Sequence, residues 1–139
     1  MLIESVVADA NVLLSAVIGK AALRVITQFA LEVHVTRFNA DEVAEYLPHM
    51  AKKYGLELEL VELQWTLLPL KLHPLSAYDD QIKQAADDLA ARDPEDAHAL
   101  ALARKLALPL WTNDKDLSNH GVECFPTARL LAALERQHI

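Results

Sequence analysis

The sequence predicts an α/β fold, a parallel sheet covered on both faces by helices, and three observations carry that prediction. Short apolar segments alternate five times with helical ones along the chain. The first of them, Val6-Val7-Ala8, is continuously apolar rather than alternating, the pattern of a strand buried on both faces. Only three glycines occur, at 19, 55 and 121, and no low-complexity linker or internal repeat breaks the alternation. In such sheets ligands bind at the edge where the strands end.

The elements follow in order. Leu2 to Ala8 reads as strand one and ends on Asp9-Ala10-Asn11. Val12 to Ile18 and, beyond Gly19, Ala21 to Ala30 read as helical. Glu32 to Thr36 is strand two, with Asn39 or Asp41 starting a helix that runs from Asp41 to about Tyr54. Lys52 and Lys53 suit its C-terminal dipole and Gly55 its stop. Leu56 to Leu67 continues as a helix, with Leu58, Val61, Leu63, Trp65 and Leu68 supplying apolar surface. Leu68 to Leu72 is strand three, and Ser76 to Ala91 a helix with Ile82, Ala85, Ala86, Leu89 and Ala90 inward.

The next helix is the best signed. Asp93 suits its cap, Pro94 its first position, and Asp96 stands where a first-turn carboxylate meets open backbone N–H groups. It stays apolar nearly all round until Arg104 and Lys105, so it is expected between the sheet and other helices. Leu108 to Trp111 is strand four and Val122 to Phe125 strand five. A helix from Pro126 or Thr127 to Arg136 closes the chain.

A length of 139 residues fits one domain over residues 1–139, and a hydrophobic content of 53% supports a core rather than disorder. The first apolar run is interrupted by Glu4 and followed by Asp9, unlike a signal peptide, and no run reaches the length of a membrane span. The single Cys124 excludes an internal disulfide and fits a reducing cytoplasm. The net charge of −7 argues against a protein that coats nucleic acid, but it allows a phosphodiester substrate if bound cations reverse the local sign.

On this map the acids converge. A helix running antiparallel to its strands starts at the edge where the following strand ends. Asp93 and Asp96 therefore share an edge with Asp114 and Asp116 after strand four, with Asp9 after strand one, and with Glu42 in the first turn of the helix after strand two. Each acid alone has an ordinary role as a cap, a first-turn acid or a turn residue. As a set they repel: two carboxylates about 4 Å apart cost roughly 4 kcal/mol at an effective dielectric near 20. Divalent cations relieve that cost, and oxygen ligands suit Mg²⁺ or Mn²⁺ rather than zinc. A carboxylate-held ion at a cleft suits phosphoryl chemistry, and with no phosphate-cradling glycine motif a phosphodiesterase fits better than a nucleotide triphosphatase.

Four segments then carry a family resemblance. Val6-Val7-Ala8-Asp9-Ala10-Asn11-Val12-Leu13, Asp41-Glu42-Val43, Asp93-Pro94-Glu95-Asp96-Ala97 and Trp111-Thr112-Asn113-Asp114-Lys115-Asp116-Leu117 resemble the successive motifs of PIN domains, particularly the VapC-type toxin ribonucleases and their stand-alone relatives. The resemblance implies a three-layer α/β/α fold with a five-stranded parallel sheet in the order 3-2-1-4-5. It implies a Mg²⁺- or Mn²⁺-dependent endoribonuclease whose acids match Asp9, Glu42, Asp96 and Asp114, with Asp116 additional. It also implies an RNA substrate, a homodimer and, for toxin members, an antitoxin protein. Glu95, where many relatives carry Asp, is the one departure.

Roles follow from position. Asp9, Asp96 and Asp114 are assigned to the metal; Glu42 completes that shell or orients the attacking water; Asp116 serves a second metal or the leaving-group side. Asn11 and Thr112 fix carboxylate rotamers, and Asp93 remains mainly the cap. His98, two positions from Asp96, points to another helix face. Lys20, Arg37, Lys115 and Arg129 are cations near the edge, and Trp65 and Trp111 read as core or interface. Two other functions compete. A catalytically silent PIN-like RNA-binding or scaffold module would retain the acids without using them. A phosphorylation receiver expects an acid pair after strand one and a Lys after strand five, and neither is present.

Overall fold

The computed structural model describes residues 2–89 and 96–138; Asp93, Pro94 and Glu95 lie outside the described residues. Five parallel strands, β1 Ser5–Ala8, β2 Glu32–Thr36, β3 Leu70–His73, β4 Leu110–Trp111 and β5 Cys124–Phe125, form one sheet in the order β3-β2-β1-β4-β5. That is the order implied above. The register sets Val6 beside Val33, Val7 beside Leu110 and Trp111 beside Phe125.

Among the described residues, seven helices flank the strands: α1 Ala10–Ile18, α2 Ala21–Thr27, α3 Arg37–Lys53, α4 Leu58–Leu67, α5 Asp79–Asp88, α6 Asp96–Leu106 and α7 Thr127–Gln137. The core divides in two as a sheet with both faces covered requires. Val6, Ala8, Val33, Val35, Trp111 and Phe125 face the layer of α1 to α4 and α7. Val7 and Leu110, of opposite parity, face α5 and α6. Burial of residues on both faces is why strand one reads as an apolar run. In α6, Ala97, Leu100, Ala101, Leu102 and Ala103 are all buried, as its apolar circumference predicts.

Several boundaries move, each for a local reason. Helix α3 begins at Arg37 rather than Asp41, because the Thr36 hydroxyl accepts the Asn39 N–H at 2.9 Å and caps the helix from the last residue of β2. Glu42 is therefore in the second turn, not the first. Strand β3 starts two residues later than expected and extends to His73, which pairs in register with Thr36. A 3-10 turn at Leu75–Ala77 precedes α5, so that helix starts at Asp79 rather than Ser76. Gly55 takes φ +64 at the end of α3, and Leu56 N–H bonds back to the Ala51 carbonyl at 2.8 Å, the glycine stop predicted there.

Helix α4 is unusual in being apolar on two faces. Val61 is buried, yet Leu60, Leu63 and Leu67 on another face are each more than half exposed. Among the described residues no single helix is long and apolar enough to cross a membrane.

Candidate active site

Where β1 ends, Asp9 leaves the sheet and starts α1. Its carboxylate accepts the Val12 N–H at 3.0 Å as the helix cap, while its own N–H donates to the Trp111 carbonyl at 3.2 Å and ties it to the end of β4. The side chain is nearly enclosed. Burial pushes its pKa up, hydrogen bonds from Thr112 and Val12 hold it down, and the charges of Asp96 and Asp114 raise it again. Two carboxylates from remote parts of the chain thus act on Asp9 at the strand-end edge.

A cavity of about 130 Å³ opens there, walled by Asp9, Ala10, Asn11, Asn39, Glu42, Asp96 and Ala99. Three of its seven wall residues are carboxylates and two are amides, and it has room for an ion with a few waters. Of the residues singled out from the sequence, Asp9, Glu42, Asp96 and Asn11 line it. Asp114 does not line the cavity, though its charge reaches Asp9. It caps a 3-10 turn at Lys115–Leu117 by accepting the Asp116 N–H at 2.9 Å, while its own N–H donates to the Thr112 hydroxyl at 3.0 Å. Thr112, buried, bonds both Asp9 and Asp114 and so fixes one relative to the other. Asp116 is exposed and does not line the cavity.

Sequence reasoning missed Asn39. It is buried in the cavity wall, its amide Nδ2 donates to Glu42 Oε1 at 2.7 Å, and its Oδ1 accepts the Thr36 hydroxyl at 2.8 Å. The spacing of Thr36, Asn39 and Glu42, three residues apart on one helix face, was the available signal. The edge cations are dispersed. Lys20 and Lys115 are exposed, and Arg129 lies over the Phe125 ring and near Glu123. Trp111 is fully buried, its indole N–H donating to Thr127 Oγ1 at 2.9 Å. Asn113 holds the start of α7 by accepting the Thr127 N–H.

The donor set fits a hard cation in kind: carboxylate oxygens around a polar cavity, with an Asp9 that burial first, and the charges of Asp96 and Asp114 after it, make reluctant to ionise. Among the described residues, however, no three His, Cys, Asp or Glu side chains are grouped closely enough to hold a metal ion by themselves. Mg²⁺ commonly takes one or two carboxylates and keeps its remaining positions for water and substrate phosphate, which the facing Asp9 and Asp96 suit.

The PIN domain family profile matches residues 7–135, nearly the whole chain. The chain belongs to the PIN domain family. Two solved structures have a similar fold. A toxin–antitoxin complex from Klebsiella pneumoniae matches with a TM-score of 0.61 at 19% identity, over 84% of this chain and 94% of that one. A crystal structure of a Pyrobaculum aerophilum protein matches with a TM-score of 0.70 at 19% identity, over 97% of this chain and 91% of that one. Comparison with curated proteins gives no match. PIN domains are generally nucleases, and they typically use divalent metals.

Proposed function

We propose that this PIN domain is a Mg²⁺- or Mn²⁺-dependent endoribonuclease that hydrolyses RNA phosphodiester bonds as the toxin of a toxin–antitoxin pair. The observation that carries this reading is the buried Asp9, brought against Asp96 and Asp114 at a polar cavity shared with Glu42. A protein gains nothing in stability from that crowding, and a phosphodiester reaction can use it.

Asp9 and Asp96, both in the cavity wall, would hold the ion, and Asp114, whose charge reaches Asp9, would complete the set. When bound, a divalent ion supplies charge neutralisation at the phosphate and a more acidic water. The remaining work belongs to the chain's own groups. Val12 N–H and Thr112 fix the Asp9 carboxylate, so little reorganisation is needed as charge develops. Asn39 holds Glu42 toward the cavity, where Glu42 takes the proton of the attacking water as its oxygen bonds phosphorus and the scissile P–O bond breaks. Asp116, exposed outside the cavity wall, would serve a second ion or the leaving group, and Asn11, in the wall, would hold a carboxylate in place. Asp93, outside the described residues, is assigned to the cap.

An antitoxin partner is proposed because one similar structure is a toxin–antitoxin complex. A homodimer working in the cytoplasm is proposed alongside it. The stripe of exposed leucines on α4 is the sort of surface an interface covers, and a light-scattering mass tests it.

The main test incubates purified protein with single-stranded and structured RNA, in Mn²⁺ or in EDTA, beside Asp9→Asn. Cleavage that needs Mn²⁺ and disappears in the variant supports the mechanism; cleavage that persists in EDTA or in Asp9→Asn refutes it. Binding without cleavage would favour a silent RNA-binding module.

A further inference from the structure

Beside the acid cavity stands an aromatic pair that the chemistry above does not use. Phe38, in the first turn of α3, and His98, in the first turn of α6, are stacked face to face, with ring centroids 3.9 Å apart and planes within 9°. Each is next in the chain to a residue that lines the cavity, Phe38 to Asn39 and His98 to Ala99. Their rings are held from beneath. His98 Nδ1 shares a hydrogen bond of 2.7 Å with the hydroxyl of Tyr78, whose ring meets the imidazole edge-on and is wholly buried. Tyr78 in turn bonds Thr36, the cap of α3. The stack is therefore locked between two helices that both contribute to the cavity. Phe38 nonetheless keeps 38% of its surface exposed.

We propose that Phe38, backed by His98, is a stacking platform for one unpaired nucleobase of a single-stranded RNA lying across the acid cavity. The inference rests on the ribonuclease reading and gives it a substrate class. A chain with a net charge of −7 has few cations to spare for phosphate contacts beyond those a bound ion would make, which gives apolar base contacts a larger share of the RNA affinity. An exposed phenylalanine free to change rotamer would lose entropy on capturing a base, whereas one already stacked and buttressed does not. A base lying on the remaining ring surface continues the stack of Tyr78-anchored imidazole and phenyl. Arg37, the preceding residue and exposed, stands at the same helix end to meet the adjoining phosphate. Bases paired in a duplex already spend both faces on their neighbours, so the platform selects unpaired RNA.

The test measures RNA binding apart from cleavage. In a common Glu42→Gln background and Mg²⁺ buffer, fluorescence anisotropy reports the affinity of Phe38→Ala, Phe38→Leu, Phe38→Tyr and unsubstituted protein for a short labelled single-stranded RNA. The same RNA carrying scanned abasic positions, and its duplex form, complete the set. Stacking contributes about 1–3 kcal/mol per base, so Phe38→Ala and Phe38→Leu should weaken single-strand binding roughly tenfold. Phe38→Tyr should keep it. One abasic position should cost the unsubstituted protein a similar factor and cost Phe38→Ala nothing more, which a merely structural phenylalanine would not produce. Unchanged affinity in Phe38→Leu, or an equal loss for duplex RNA, overturns the platform. Cleavage is assayed separately in the protein with Glu42 intact. If RNA binds through Phe38 but is never cut, the ribonuclease reading fails and the platform stands; if it is cut while Phe38 variants bind normally, the reverse holds.

Discussion

Replacing Asp9 by Asn should stabilise the metal-free protein, although it removes a helix-capping carboxylate. Asparagine has the same shape and still caps, so the Val12 N–H keeps an acceptor. What changes is charge. Hydrogen bonds to a charged group contribute about 1.5–3 kcal/mol against about 1 for neutral ones, so weakening those from Val12 and Thr112 costs roughly 2 kcal/mol together. Burying the ion beside Asp96 and Asp114 costs several kcal/mol, and burial is the largest of the influences on Asp9. The balance favours the variant by about 1–2 kcal/mol. With an unfolding entropy of about 2.1 cal/mol/K per residue, that is a Tm increase of roughly 3–7 °C.

The pH dependence fixes the sign. A carboxyl whose folded pKa lies above its ordinary value of 3.8 holds its proton more tightly in the native state. Its contribution is full below 3.8 and is lost as pH rises through the folded pKa. The advantage of Asp9→Asn should therefore be largest near neutral pH and shrink as the solution is acidified. Manganese should reverse the ranking. An ion at about 100 times its Kd stabilises by about 2.7 kcal/mol, and the variant should lose most of that gain. Calorimetry in EDTA and in Mn²⁺, at several pH values, reads all three effects. A variant that melts below the parent at neutral pH in EDTA, or a gain that does not diminish with acid, would show that Asp9 is not held under charge strain.

Three other perturbations follow from the geometry. Thr36→Val removes the cap of α3 and the hydroxyl shared with Asn39 and Tyr78; a loss of about 1–3 kcal/mol in urea unfolding is expected, and no loss would dismiss the network. His34 and His73 meet at 2.8 Å across β2 and β3, and both pKa values are lowered, chiefly by burial. Their neutral pair contributes stability present above about 6.5 and lost as pH falls through the lowered values, so urea midpoints should drop with acid more steeply in the parent than in His34→Gln/His73→Gln; parallel profiles would refute this. Leu100, fully buried in α6, should cost about 2–5 kcal/mol on replacement by Ala, and a smaller loss in thermal melts would mean that the α6 layer repacks.

The order of elements and the edge at which the acids meet were legible in the sequence because both depend on local periodicity. Strand β2 appears at its predicted limits, and α6 is buried nearly all round, because apolar runs and caps are properties of neighbouring residues. Boundaries set by side-chain bonds were not legible. Thr36 reads as the end of a strand, and only its hydroxyl on the Asn39 N–H makes it the start of a helix and moves Glu42 into the second turn. In α4 the sequence marks Val61 and Leu63 alike as apolar surface, yet only Val61 is buried, since a periodicity reports that a face is apolar but not what covers it.

By itself, then, the sequence determined the alternating architecture, the family motifs and the set of acids, all carried by residue type and spacing. Only the tertiary structure decided which acids share a wall. It put Asp9, Glu42 and Asp96 around one cavity, left Asp114 and Asp116 out of its wall, made Asn39 the anchor of Glu42, and stacked Phe38 on His98 beside them. The reason is geometric: chain spacing places a residue at a sheet edge, but the direction of its side chain is set by hydrogen bonds and packing with elements remote in sequence.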